Sequence, residues 1–407
     1  MHRLTLAEHT ERSSVQLSAI QVDALRELAP SVDVSPTYGK AGAYDLTPGS
    51  EVGVIQIPSL TIEIAPKLPI HRVLFMMSYA LGLMKFFDET VPISDEPDLV
   101  EAIIPMFHAQ VRQATKAGLL QGYRAEEDSL RVVRGQIHIN EQIRRRFGMA
   151  VPLEVRYDEF TPDIDHNQLL KAAVRRLAHL SLRSARTRRM ISAMHATFAN
   201  VSDVVFEPTR LPELPVTPLN LHYQPAIQLA RLILRSRSLE LADGRTSATA
   251  FLIDMNRVFE DFVVIGLREA LGLSETVFPQ GARGRKLWLD KMERVRLKPD
   301  ISWWDSGKCV FVGDVKYKRV TGSGVQNADI YQVLSYAVAT HLPSALIIYA
   351  AGESAPATHE IPYTDKSLQV VTLDLTGNSQ QLMERIHNLA RLIIDRRLEV
   401  HSMSSAA

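Results

Sequence analysis

Lys298-Pro299-Asp300-Ile301-Ser302-Trp303-Trp304-Asp305-Ser306-Gly307-Lys308-Cys309-Val310-Phe311-Val312-Gly313-Asp314-Val315-Lys316 contains two strand-like runs joined at Asp305-Ser306-Gly307-Lys308. Side chains alternate across a strand, so Asp314 and Lys316 share a face with Val310 and Val312, while Phe311, Val315 and Tyr317 face the other way. An acid and a lysine thus project from the end of an otherwise apolar strand. Such charges are costly beside a core unless compensated, and a divalent cation would compensate them. Register decides whether Asp300 joins them. If the loop is the four residues 305–308, Asp300 falls opposite Gly313 and points away from Asp314. If it is the three residues Ser306 to Lys308, the two aspartates are opposed and share a face. A shared carboxylate site therefore requires an odd-numbered loop or a bulge, and Gly307 can supply the left-handed conformation needed.

Outward from this hairpin, the chain after Thr246 reads as helix, strands and helices. Met255 to Leu271 is amphipathic through Val258, Phe259, Phe262, Val263 and Leu267. Strands are expected at about Val295 to Trp304, Lys308 to Arg319 and Ala345 to Tyr349, with a helix from Asp329 to Thr340 and a terminal helix carrying Leu382, Ile386, Leu389 and Ile393. Such alternation describes an α/β module. Towards the N-terminus, Val52 to Ile57 and Ser59 to Ala65 read as strands with Val52, Val54, Leu60, Ile62 and Ile64 inward. Helices are expected at 73–86 and 98–120, a turn-rich strand region from Gly118 to Phe160, and one long helix from His166 to about Met194. Five prolines between Phe206 and Pro225 mark a stiff connection. The fold class expected is α/β: an α+β N-terminal domain over residues 1–160, and a second domain over 161–407, helical at first and with its core at 246–402.

Composition narrows the chemistry. The 407 residues hold 46 Lys plus Arg and 46 Asp plus Glu, so there is no global charge excess to point at nucleic acid or membrane. The bases are nevertheless clustered. Seven lie between Lys171 and Arg189 with no acid, a pattern that fits either a solvated helix face or a phosphate-contacting one. Seven more (Arg283, Arg285, Lys286, Lys291, Arg294, Arg296 and Lys298) face only Asp290 and Glu293 and lead into Asp300. A basic approach to a carboxylate centre is what a DNA channel requires, and an exposed β-hairpin carries the same pattern. The single cysteine, Cys309, excludes an intrachain disulfide and multi-cysteine zinc sites, and fits a cytoplasmic location. No apolar run reaches membrane-span length, and neither a Gly-rich phosphate loop nor a nucleophile elbow is present.

Phosphodiester hydrolysis needs oxygen ligands for Mg²⁺ and a cation to orient or deprotonate the nucleophile. Asp300, Asp314 and the Val315 carbonyl can supply the first and Lys316 the second, with Glu260 on the preceding amphipathic helix able to complete the shell. Asn256-Arg257-Val258-Phe259-Glu260, Lys298-Pro299-Asp300, Gly313-Asp314-Val315-Lys316-Tyr317-Lys318 and Asp329-Ile330-Tyr331-Gln332-Val333-Leu334-Ser335-Tyr336 resemble, in order, the motifs of PD-(D/E)XK nucleases. The spacing of Gln332 and Tyr336 is similar to the Q-x-x-x-Y motif of the RecB-like branch.

More narrowly, the chain resembles McrC, the nuclease subunit of McrBC-type modification-dependent restriction systems. Val52-Gly53, Ile64-Ala65-Pro66-Lys67, Leu130, Arg134-Gly135-Gln136-Ile137, Tyr157-Asp158-Glu159-Phe160 and Asn167 extend that likeness over most of residues 50–350. The resemblance implies an endonuclease of a phage-defence system that acts on double-stranded DNA with modified cytosine. It would dock through its N-terminal region on a ring of the AAA+ partner McrB, stimulate that motor's GTP hydrolysis, and cut when translocation stalls. It implies Asp300, Asp314 and Lys316 as catalytic residues with Glu260 accessory, Gln332 and Tyr336 supporting, Mg²⁺ not tightly bound, and GTP used only by the partner. Residues 1–50 carry no motif of the family. Two other readings fit the same residues: a non-catalytic regulator of an AAA+ partner, and a stand-alone RecB-like exonuclease.

Overall fold

The computed structural model describes residues 2–83, 99–147, 149–235, 248–281, 286–317, 325–350 and 357–405. Along the chain the strands are β1 (His2–Ala7), β2 (Arg12–Gln16), β3 (Val32–Pro36), β4 (Ala43–Pro48), β5 (Glu51–Ile57), β6 (Leu60–Ala65), β7 (Gly122–Leu130), β8 (Gln136–Ile137), β9 (Leu153–Thr161), β10 (Thr249–Asp254), β11 (Leu287–Trp288), β12 (Arg296–Leu297), β13 (Ile301–Asp305), β14 (Lys308–Lys316), β15 (Ser344–Ala350), β16 (Ala357–Ile361) and β17 (Lys366–Leu373). The helices are α1 (Ala19–Leu28), α2 (Ile70–Ala80), α3 (Leu99–Ala114), α4 (Ile139–Arg146), α5 (Asp165–Ala178), α6 (Ala185–Thr197), α7 (Gln224–Arg235), α8 (Met255–Ala270), α9 (Asn327–Ala339) and α10 (Ser379–Ser405). The fold is α/β, with both parallel and antiparallel pairs in its two larger sheets.

The first of these sheets runs β1-β6-β5-β10. Its two central strands are buried along nearly their whole length, with α1 and α3 both packed on β5, so the in–out alternation expected for β5 and β6 is absent. Its outer strand β10 comes from the second half of the chain, pairing Leu252 with Gly53. At that point the two backbones approach so closely that a Cβ on Gly53 would lie 2.0 Å from the Phe251 carbonyl oxygen, and Gly53 holds φ +141°. Only glycine fits there. β10 was not expected from the sequence. It delivers the chain into α8, whose N-cap Asp254 accepts from the Asn256 amide at 3.0 Å while the Met255 amide donates to the Ser50 carbonyl.

The long helix expected at 166–194 is two helices, α5 and α6, with residues 179–184 between them. Glu101 of α3 explains the break. Its buried carboxylate accepts the Arg183 amide, the Ser184 amide at 3.0 Å and the Thr187 hydroxyl, so α6 starts anew. The basic run of this region is partly consumed internally. Lys171 is buried and bonds the Val201 carbonyl, Arg176 donates to Leu234, and Arg183 pairs with Glu63 at 3.0 Å.

Residues 122–161 form an arm, the sheet β7-β9-β8 with α4 beside it. None of α4 is buried. At the base, Asn167 donates to the Leu120 and Pro162 carbonyls at 2.8 and 2.7 Å, and Asp163 accepts from the Ser202 amide at 2.8 Å and from Arg124. Further out, Gly135 lies so close to Arg156 and Tyr157 that a Cβ would meet the Arg156 carbonyl oxygen at 2.3 Å, while the Arg134 guanidinium stacks on the Tyr157 ring at 3.9 Å.

The second large sheet, β13-β14-β15-β17-β16, is sandwiched between α9 on one face and α8 with α10 on the other. Strands β16 and β17 were not expected, and the strand expected at 295–304 is divided into β12 and β13. A Gly53→Ala substitution is expected to cost about 2–4 kcal/mol, from strain at positive φ plus overpacking against β10. A denaturant midpoint unchanged from the parent would contradict the required close approach.

Candidate active site

The hairpin of β13 and β14 turns at Ser306-Gly307, both at positive φ (47° and 88°), with Asp305 paired to Lys308. A two-residue turn of this hand suits the strand twist. Continued without interruption, it would place Asp300 opposite Gly313. The register instead shifts between Trp303 and Trp304, where Val310 is an extra residue, and the ladder then pairs Ile301 with Gly313. Extension by one step sets Asp300 across from Asp314. The left-handed glycine is in the turn, and the bulge is elsewhere on β14.

Beyond Ile301 the β13 ladder ends, and the Asp300 side chain takes over from it. The Val315 amide donates to Asp300 Oδ2 at 2.9 Å. Within a strand, a residue's N–H and C=O point to the same neighbour, so the Val315 carbonyl opens to that side too. Asp314 is wholly inaccessible, at 0 % exposure. Its Oδ2 meets the Lys316 ammonium at 2.5 Å, and its Oδ1 has no hydrogen-bond donor among the described residues. A buried carboxylate oxygen left in this way is costly.

Glu260 approaches the same carboxylates from α8. The side-chain amide of Gln280 donates to Glu260 at 3.1 Å and to Asp261 at 2.5 Å, and Gln280 is fixed in turn by a bridge to Ile301. From α9, Gln332 donates to the Tyr336 hydroxyl at 2.8 Å, and that hydroxyl donates to the Lys298 carbonyl at 3.2 Å, tying the helix to the strand leading into Asp300. Asp329, also on α9 and buried, accepts from the Tyr349 hydroxyl at 2.7 Å.

Electrostatics follow from this crowding. Burial, then the Asp314 and Glu260 carboxylates, push the Asp300 carboxyl far up, to about 8. Burial also raises Glu260, with Asp261 and Asp314 adding to it against the Gln280 hydrogen bond. For Lys316, burial favours the neutral amine, but Asp314, Asp300 and Asp329 outweigh it and the pKa is raised. The Tyr336 phenol is raised by burial and by Asp314.

The structure thus brings together Asp300, Asp314, Lys316, Glu260, Gln332 and Tyr336. Of the expected DNA-binding bases, Arg283 and Arg285 lie outside the described residues. Lys286, Arg294 and Arg296 are exposed on or beside the small β11-β12 hairpin that precedes Asp300, and Arg294 is paired with Asp290 at 3.3 Å. Gln280 and Asp329 were missed as site residues. A neutral amide distant in sequence carries no chemical signal, and Asp329 sits in the Q-x-x-x-Y stretch without being part of its pattern. Trp303 packs under the Arg397 guanidinium at 4.4 Å, as a core residue does.

Residues 46–350 match the family model described as McrBC 5-methylcytosine restriction system component. The chain belongs to that family. Two solved structures are similar to this McrBC component. One, a refined half-complex from a tetradecameric assembly of Thermococcus gammatolerans McrB AAA+ hexamers with bound McrC, has a TM-score of 0.58 at 17% identity, covering 96% of this chain and 100% of that one. The other, a cryo-EM structure of the Thermococcus gammatolerans McrBC complex, has a TM-score of 0.44 at 20% identity, covering 66% and 88%. Among the curated proteins no match is found. The family agrees with the McrC resemblance drawn from the motifs, and the first likeness, over 96% of this chain, extends the shared fold into residues 1–50, which the motifs did not reach.

Because the Asp300 carboxyl is raised, the fold binds a proton that the unfolded chain releases, so stability falls as pH rises from the ordinary carboxyl pKa of 3.8 towards about 8. Asp300→Asn keeps an acceptor for the Val315 amide and removes the charge. In chelator at pH 8 it is expected to be more stable than the parent by about 1–2 kcal/mol, with the gain vanishing near pH 4. Denaturant melts at both pH values check this, and a loss of stability at pH 8 would overturn the charge-crowding account.

Proposed function

We propose that the protein is the Mg²⁺-dependent endonuclease subunit of a methylcytosine-directed restriction system, cleaving DNA while coupled to a GTP-hydrolysing AAA+ motor. The observation that carries this reading is the bulged hairpin that opposes Asp300 to Asp314 and leaves a buried Asp314 oxygen without a donor beside Lys316. The donor set suits a hard, oxygen-preferring cation. Mg²⁺ is commonly held by one or two carboxylates together with substrate phosphate and water, and Asp300, Asp314 and the Val315 carbonyl would hold it here, with Glu260 closing in on binding, since among the described residues no three acidic, histidine or cysteine side chains already stand close enough to share an ion. When bound, it would polarise the scissile phosphate and lower the pKa of a water molecule.

The remaining work falls to the chain itself. Lys316, whose pKa is raised by its carboxylate neighbours, acts as a cation that orients the attacking water and offsets charge on the phosphate. Tyr336 and Gln332 hold the approach to Asp300 in place through the Lys298 carbonyl. Lys286, Arg294 and Arg296, with Arg283 and Arg285 of the same run, would contact the DNA backbone.

The partner reading is supported by the arm. Tyr123, Ile143, Phe147 and Phe160 are exposed there, Phe147 at 91 %, which is unusual for large apolar side chains unless another protein covers them. In the similar solved assembly McrC is bound to McrB AAA+ hexamers, and the arm is the surface of this chain best fitted to such docking. Among the described residues no helix is long and apolar enough to cross a membrane.

With the motor, GTP and methylated plasmid present, Asp314→Asn and Lys316→Ala are expected to lower cleavage about a thousandfold while motor GTP hydrolysis stays at the parental rate. Retained cutting in both would sink the nuclease assignment and favour a purely regulatory subunit. Conversely, Phe147→Ser is expected to weaken stimulation of the motor by about tenfold, the loss of one well-covered apolar contact, without changing the melting temperature. Stimulation equal to the parent's would remove the arm from the interface.

A further inference from the structure

Glu8 follows β1 and is 0 % exposed. Its amide donates to the Ala65 carbonyl, continuing the parallel pairing of β1 with β6. Its carboxylate oxygen Oε1 accepts from two groups, the Lys67 amide at 2.7 Å and the Tyr317 hydroxyl at 2.9 Å. The second bond spans 309 residues of sequence and ends one residue beyond Lys316. A carboxylate without solvent is expensive to bury, and a well-packed apolar residue serves stability as well or better. What the carboxylate supplies is direction, a charge-assisted bond that fixes where the tyrosine hydroxyl stands.

Tyr317 is placed to use that direction. The last residue pair between β14 and β15 is Lys316 with Tyr349, so Tyr317 lies just past the end of the ladder. Its side chain is on the face opposite Asp314 and Lys316, in the core against α8, where its ring meets Phe259 with centroids 5.9 Å apart. Phe259 immediately precedes Glu260. One side chain therefore secures the end of the strand that carries Lys316 and packs on the helix that carries Glu260.

We propose that Glu8 is a positioning residue for the nuclease centre, holding Tyr317 so that Lys316 and Glu260 keep their places around Asp314. This rests on the nuclease reading above. Among the described residues Glu8 touches none of the reacting groups, and it acts through Tyr317. It makes the β1-β6 edge of the first sheet part of the active site's support, a role that no motif of residues 1–50 indicates.

The test uses the full chain with its motor, GTP and methylated plasmid. Tyr317→Phe removes only the hydroxyl, and Glu8→Gln removes the charge while leaving an acceptor. Each is expected to lower kcat for cleavage 10- to 100-fold, as loss of a supporting hydrogen bond does elsewhere, with KM for DNA and motor GTP hydrolysis unchanged. The double variant should be no slower than the slower single variant, because both act on the one bond between Glu8 and Tyr317. A merely structural bond predicts a lowered melting temperature with parental kcat per folded molecule, and that result overturns the proposal. Should Glu8→Gln fail to fold, Tyr317→Phe decides alone. Parental kcat in these variants beside an inactive Lys316→Ala overturns this inference only, whereas an active Lys316→Ala overturns the nuclease reading and this inference with it.

Discussion

Carboxylates forced together inside a low-dielectric layer are the constraint around which this molecule is arranged. Asp300 and Asp314 face each other at the end of a hairpin, with Glu260 arriving from α8, and one lysine stands among them. Left to themselves, such groups would separate or take up water. They are held because each is carried by an element packed from two sides: β14 lies between β13 and β15 and under α8, α9 and α10. The Val315 amide, the Gln280 side chain and the Tyr336 bond to the Lys298 carbonyl then fix the few degrees of freedom that remain. With Lys316 among them the Asp300 carboxyl is still raised, by burial first and then by the Asp314 and Glu260 carboxylates.

The centre was legible in the sequence because its chemistry is concentrated. Asp300, Asp314 and Lys316 lie within one hairpin, and period-two alternation assigns their faces without any knowledge of the fold. The register was legible only as a choice. What settled it is Val310, an ordinary β-branched residue that no turn rule marks as a bulge. Contacts formed over long separations were not legible: β10 against β5, Glu8 against Tyr317, and Glu101 against the start of α6 each depend on segments meeting in space. The missed strand β10 also looks, in isolation, like the beginning of the amphipathic helix it precedes.

Several residues of the family pattern acquire physical reasons once the fold is seen. Gly53 and Gly135 mark places where a second backbone passes too close for a Cβ. Arg134 and Tyr157 stack on one another, and Asn167 joins the base of the arm to α5. None of these touches the carboxylates. Their shared task is to set the arm and the first sheet in shape.

The place of β10 in the first sheet has a consequence for how such a protein can be taken apart or recombined. Any fragment that stops before Thr249 leaves one side of β5 without its partner strand, an apolar edge with open backbone donors and acceptors that invites aggregation. Any fragment that begins after it starts α8 without the Ser50 carbonyl that receives the Met255 amide. The two halves of the chain therefore cannot be separated as beads on a string. A change of function in either half must be reached by substitution inside a single interlaced chain.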